Sequence, residues 1–171
     1  QICRTYEHNG VLYICPRGWT QREDAFRSWA HFRELTGMDY LLLEHGDATY
    51  SLPHGDTMME FVGRIADDPQ SVKDQAARMV DAALARAEAT RKEGLLDGFC
   101  LCADYCYNTG PFLSPAMFDE FVTPYLARLT AGYREMGFYV IKHTDGNIMP
   151  ILDSLVSTNP HALHSIDPQG Q

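Results

Sequence analysis

The segment His143-Thr144-Asp145-Gly146-Asn147 sets an imidazole and a carboxylate two residues apart. On extended backbone such residues point the same way. His143 and Asp145 can therefore face one divalent ion, and zinc accepts that ligand pair. The same residues also suit an ordinary strand-to-helix turn, with Asp-Gly supplying the bend and His143 hydrogen-bonded in place. A His-x-Asp pair alone does not separate the two readings. Asp104 is the leading acid–base candidate. A carboxylate beside Tyr105 and Tyr107 can be desolvated and its pKa raised; equally, it can brace the loop that leads to Ser114. Cys100 and Cys102 lie on one side of their segment, and Asp104 continues it. As ligands the thiols would be soft and suited to zinc. Mid-strand positions favour the other reading, that of small buried core residues. Cys106 lies past the segment and is the more reactive thiol candidate. Arg17 can anchor a carboxylate. Trp19, Tyr105 and Tyr107 can line the pocket of a flat ligand or belong to the core.

These groups need elements that bring them together. Residues 69–93 read as an amphipathic helix, with Asp67 and Asp68 as capping candidates, Pro69 at its tolerant start and Gly94 as its stop. Residues 98–103 form a short apolar run and read as a strand. Ser114 and Pro115 open a long helix that Pro124 should kink and Gly137 should end. Residues 138–143 are rich in aromatic and β-branched side chains, as strands are. Ile148, Ile151, Leu152, Leu155 and Val156 give another helical stripe, with Asn147 as candidate cap, and residues 162–166 read as a further strand. The alternation of strand and helix predicts parallel neighbours joined by right-handed crossovers. The first half is less patterned: a strand at 11–15, helices at 22–36 and 58–65, a loop at 51–56, and four residues, 40–43, that periodicity leaves open between strand and helix.

In parallel β/α folds, ligands bind beyond the carboxyl ends of the strands. Asp104, Tyr105, Tyr107 and Asn108 follow one predicted strand. Lys142 to Asn147 close the next, Asp167 follows the third and Arg17 follows the strand at 11–15. Polar and ionisable groups thus collect at one edge, while loops such as Glu93-Gly94-Leu95 carry fewer. Asp104, Tyr105 and His143 are the catalytic candidates, Arg17, Tyr107, Asn147 and Asp167 the substrate-binding ones, and His143 with Asp145 the metal pair.

The 171 residues are 45% hydrophobic and 22% charged, which suits one globular unit with a core. With 14 basic and 23 acidic residues the formal charge is −9. No basic stripe forms, so nucleic acid is not an expected partner. No apolar run reaches the roughly 18 residues a membrane span needs, and no signal peptide is visible. Five unevenly spaced cysteines argue against a disulfide scaffold and for a reducing, cytoplasmic setting. The chain starts at Gln1, so residues are expected to precede it.

Several segments, taken in order, resemble the uroporphyrinogen decarboxylase superfamily. They are Asp68-Pro69-Gln70-Ser71-Val72, the run from Asp104 to Tyr125 (DYCYNTGPFLSPAMFDEFVTPY), the run from Gly137 to Asn147 (GFYVIKHTDGN) and residues 162–167 (ALHSID). The likeness covers about residues 61–167. It implies a parallel (β/α)8 TIM-type barrel. Such barrels typically need about 250 residues, so this chain is expected to be a single partial barrel domain that lacks the first and last strands. Its bare strand edges should favour association, and a homodimer is among the expected states.

The superfamily holds two chemistries. Uroporphyrinogen decarboxylase works without a cofactor and removes carboxylates from a tetrapyrrole in porphyrin biosynthesis. Its relatives are zinc-dependent methyltransferases that move methyl groups between corrinoid (cobalamin) proteins and thiols. In those, His-x-Cys and a later Cys bind the metal. Here His143 matches the His, Asp145 stands in place of the Cys, and the later position falls beyond Gln171. The decarboxylase leans on basic residues near its N-terminus, whereas Arg17 and Lys142 are the only cations at the strand ends of this chain. The resemblance therefore favours a methyltransferase that acts on a small-molecule substrate, with a divalent metal, zinc or similar, and a corrinoid protein as methyl-carrying partner. Cofactor-free decarboxylation is the alternative, and a non-catalytic corrinoid- or tetrapyrrole-binding protein is the third reading.

Overall fold

The computed structural model describes residues 3–8, 11–16, 22–55 and 57–164, with side chains from residue 29 onward. The elements run β1 (Cys3–His8), β2 (Val11–Pro16), α1 (Arg22–Thr36), β3 (Leu43–His45), α2 (Met58–Asp67), α3 (Pro69–Glu93), β4 (Gly98–Leu101), β5 (Cys106–Tyr107), β6 (Gly110–Pro111), α4 (Pro115–Phe121), α5 (Thr123–Glu135), β7 (Tyr139–His143), a 3-10 turn (Met149–Ile151), α6 (Leu152–Ser157) and β8 (Ala162–His164). Four strands form one parallel sheet in the order β3-β4-β7-β8. The strands expected at 98–103, 138–143 and 162–166 are parallel neighbours in that order. Helices α2 and α3 cross from β3 to β4, α4 and α5 from β4 to β7, and α6 from β7 to β8. This is a section of the wall of a TIM-type α/β barrel. Among the described residues no helix is long and apolar enough to cross a membrane.

The helices form where local chemistry allows. The Asp68 carboxylate accepts the Ser71 amide at 3.0 Å, Pro69 opens α3, and Gly94 closes it at φ 65°. Val72, Ala76, Val80, Ala83 and Ala87 supply its buried face. Small residues there let α5 come close: a Cβ on Gly132 would meet the Leu84 side chain at 2.5 Å. Pro124 does more than kink a helix. It has no amide proton to continue α4, so the chain breaks at Val122 (φ −122°) and α5 starts anew with the proline in its first turn.

Other expectations shift. Residues 40–42 lie outside regular structure, and the strand begins at Leu43. β4 stops at Leu101 because the amide of Ala103 turns to the Asp47 carboxylate at 2.9 Å instead of to a neighbouring strand. β2 pairs antiparallel with β1 and lies outside the parallel sheet, which removes the argument that put Arg17 at its rim.

Alternation along the strands defines two faces. Phe99, Leu101, Val140 and Lys142 are buried on the helix side, where Phe99 stacks on Tyr133 of α5 with ring centroids 4.3 Å apart. His45, Cys100, Ile141, His143 and His164 share the opposite face, which corresponds to the interior of a barrel. That face is open, and Tyr139 on it is 49% exposed.

Candidate functional site

β7 ends in His143, and the loop after it runs along the loop after β4. The amide of Tyr105 donates to Thr144 Oγ1 at 3.1 Å, and the amide of Asp145 donates to Asp104 Oδ1 at 3.1 Å. These cross-links bring the side chains of Asp104, His143 and Asp145 to one spot. His143 Nε2 lies 4.0 Å from Asp104 Oδ1 and 3.8 Å from Asp145 Oδ2. Ligand atoms of all three residues fall within 4.8 Å of one another. Asp145 is exposed, Asp104 is half-buried and His143 is 22% exposed, so the group opens to solvent at the carboxyl ends of the strands. On its other side the His143 ring meets His164, with the two Nδ1 atoms 2.9 Å apart.

The donor set fits a divalent ion. One imidazole and two carboxylates are N and O ligands at spacings from which small rotations of half-exposed side chains reach bonds of about 2.0–2.2 Å. Without a thiolate the set is hard and suits ions that favour nitrogen and oxygen. Three protein ligands would leave positions for water or substrate, the pattern of catalytic rather than structural centres.

The remaining candidates are placed differently. Tyr105 is buried and turns from the cluster, its hydroxyl 2.6 Å from Thr49 Oγ1 and its ring 4.2 Å from Lys142 Nζ. Burial, then Asp47, pushes its phenol well above the ordinary range, so it stays protonated. Asp104 is thus not enclosed by aromatic rings: Tyr105 points away and Tyr107 is 43% exposed. Asn147 caps the turn that follows, its Oδ1 accepting the Met149 amide at 3.2 Å. Arg17, Trp19 and Asp167 lie outside the described residues. Cys106 is not the reactive thiol, because its site is buried and desolvation, then Asp104, pushes it up to about 11. Cys100 and Cys102 sit on the open face with sulfurs 3.4 Å apart, and burial, followed by Cys100, pushes Cys102 up to about 12.

Lys142 is not a substrate cation. It is 1% exposed, and its Nζ donates to Asp47 Oδ2 at 2.8 Å, Leu101 O at 3.1 Å and Ala103 O at 2.9 Å. Asp47 and Thr49, which sequence reasoning did not single out, complete this buried network behind the cluster. The signal is Gly46-Asp47 after a strand, but periodicity leaves residues 40–43 open between strand and helix, so no strand end is visible there.

Gly146 makes the loop possible. It adopts φ +84°, and a Cβ there would lie 2.6 Å from the Cys106 carbonyl oxygen. Gly146→Ala is therefore expected to destabilise the protein by about 1–3 kcal/mol and to move Asp145 off Asp104. Urea denaturation checks the first effect. The second would appear as altered amide shifts confined to residues near Asp104.

Comparison with known proteins adds three findings. Residues 49–169 match the family Uroporphyrinogen decarboxylase (URO-D). No curated protein matches the chain. A solved structure, a methyltransferase from Methanosarcina mazei, superposes with a TM-score of 0.67 over 94% of this chain at 13% identity. The chain spans about half of that protein, 52% of its length. At that identity the likeness is one of fold.

Proposed function

The chain belongs to the uroporphyrinogen decarboxylase family, and on that premise we propose that it is the metal-assisted methyl-transfer type of enzyme within it, acting with a corrinoid methyl carrier. One observation carries this reading: Asp104, His143 and Asp145 converge at the strand ends, where a barrel enzyme does its chemistry. A divalent ion held there would act as a Lewis acid on a substrate oxygen or thiol and orient it. His143 would supply the neutral nitrogen ligand. Asp104 and Asp145 would supply the negative charge that holds the ion. The amide of Asp145, fixed on Asp104, keeps the two carboxylates in register.

The family match itself favours a second reading, decarboxylation of a tetrapyrrole without a cofactor. That chemistry calls for cations to hold several carboxylates. Lys142, the cation on β7, is instead enclosed by Asp47 and two carbonyls.

Elemental analysis of the purified protein, with methyl transfer from methylcobalamin measured before and after chelation, tests the proposal. The expected result is one bound divalent ion per chain and loss of at least about 100-fold in rate on its removal, restored by adding the ion back. Metal-free protein that decarboxylates uroporphyrinogen at full rate would overturn it.

A further inference from the structure

We propose that His164 is a positioning residue for His143: it engages the Nδ1 side of the ring, so that Nε2 is the atom offered to Asp104 and Asp145. The parallel register of β7 and β8 pairs His143 with His164, which places both side chains on the same face of the sheet. The two Nδ1 atoms are 2.9 Å apart, the ring centroids 5.1 Å apart and the planes tilted by 37°. At that distance one nitrogen carries a hydrogen and the other accepts it. The His143 Nδ1 is thereby committed to the sheet, and its Nε2 faces the carboxylates at 3.8 and 4.0 Å.

The tautomers follow from this pairing. For Nε2 to bind a cation it must present a lone pair, so the proton of a neutral His143 ring sits on Nδ1. His164 Nδ1 must then accept, and its own proton sits on Nε2. A partner on the second ring nitrogen fixes the orientation of a ligating histidine and makes it a better donor. Loss of such a partner typically weakens metal affinity by about 10–100-fold. The function of His164 as a ligand-orienting group rests on the metal reading above; the hydrogen bond does not.

The test therefore has two arms. In metal-free protein, nitrogen-15 NMR at about pH 9, where an ordinary imidazole is neutral, should show a coupling across the Nδ1–Nδ1 bond. That coupling should vanish in His164→Ala, and the tautomer balance of His143 should change. In the second arm, Co2+ affinity is measured by competition with a chromophoric chelator. His164→Ala should lose about 10–100-fold and alter the cobalt absorption envelope. His164→Gln, which keeps an acceptor, should recover part of both. A wild-type protein that binds no divalent ion would defeat the metal reading, and the NMR arm would then decide the proposal alone. A missing coupling with an unchanged His143 tautomer would overturn it. So would metal affinity in His164→Ala equal to that of the wild type.

Discussion

Asp47→Ala and Lys142→Ala are each expected to destabilise the protein by about 3–5 kcal/mol, the usual result of removing one partner from a buried ion pair. Their side chains are 3% and 1% exposed. Every ammonium proton has a destination: Asp47 Oδ2, Leu101 O and Ala103 O. The carboxylate in turn accepts from the amides of Thr49 and Ala103, both at 2.9 Å, and from Thr49 Oγ1 at 2.7 Å. Removing Lys142 strands a buried anion, and removing Asp47 strands a buried cation beneath the Tyr105 ring. Replacing both, as Asp47→Leu with Lys142→Met, should recover part of the loss: the pair's desolvation cost disappears with it, while the Thr49 and Ala103 amides lose their acceptor. Urea unfolding of the two single variants and the double variant forms the cycle that measures this coupling. Additive losses would contradict it.

The same pair sets an acid limit. Burial pushes the Asp47 carboxyl up, but the Lys142 charge and the bonds from Lys142 and Thr49 outweigh it and hold the group below the usual carboxylate range. Burial lowers the Lys142 ammonium, and the Asp47 charge beside it works the other way. A depressed carboxylate stabilises the fold above its unfolded value, about 3.9. That contribution is lost as the pH falls through the folded value. Unfolding midpoints should therefore drop below about pH 4 in the wild type, and drop less in the double variant.

Much of the fold is legible in the sequence for a physical reason. β4 and β7 pack one face against helices within a section of barrel wall, so they read as apolar runs between turn signals, and α3 carries its cap signals in the residues that flank it, Asp68 and Gly94. What is not legible is set at a distance. Lys142 at a strand end reads as a substrate cation until Asp47, 95 residues away, is seen to enclose it. The early stop of β4 has the same cause. The pairing of His143 with His164 depends on strand register, which one sequence does not specify. The cluster was half legible: two-residue spacing put His143 and Asp145 on one side, and the strand-end rule put Asp104 nearby. Convergence of the three depends on Thr144 and Gly146, which lock the two loops together.

Asp145 separates this chain from the thiolate pattern it resembles, and changing it should change the metal. Asp145→Cys recreates the His-x-Cys spacing with a softer donor. The substitution should cost little stability, within about 0.5 kcal/mol, because the side chain is 61% exposed and the amide that donates to Asp104 is backbone and survives. A thiolate favours zinc over magnesium and manganese. We predict that the variant raises the ratio of zinc to manganese affinity by at least about 10-fold and gives the cobalt form a thiolate charge-transfer band that the wild type lacks. Asp145→Ala should instead weaken every divalent ion, and His143→Ala should lose binding altogether, each with the fold intact by circular dichroism. A softer centre should also accept thiol substrates more readily, so methyl transfer to a thiol should rise in Asp145→Cys relative to transfer to an oxygen acceptor. Unchanged selectivity with no new band would mean that the side chain at position 145 does not reach the ion, and Asp104 and His143 would then have to hold it with groups outside the described residues.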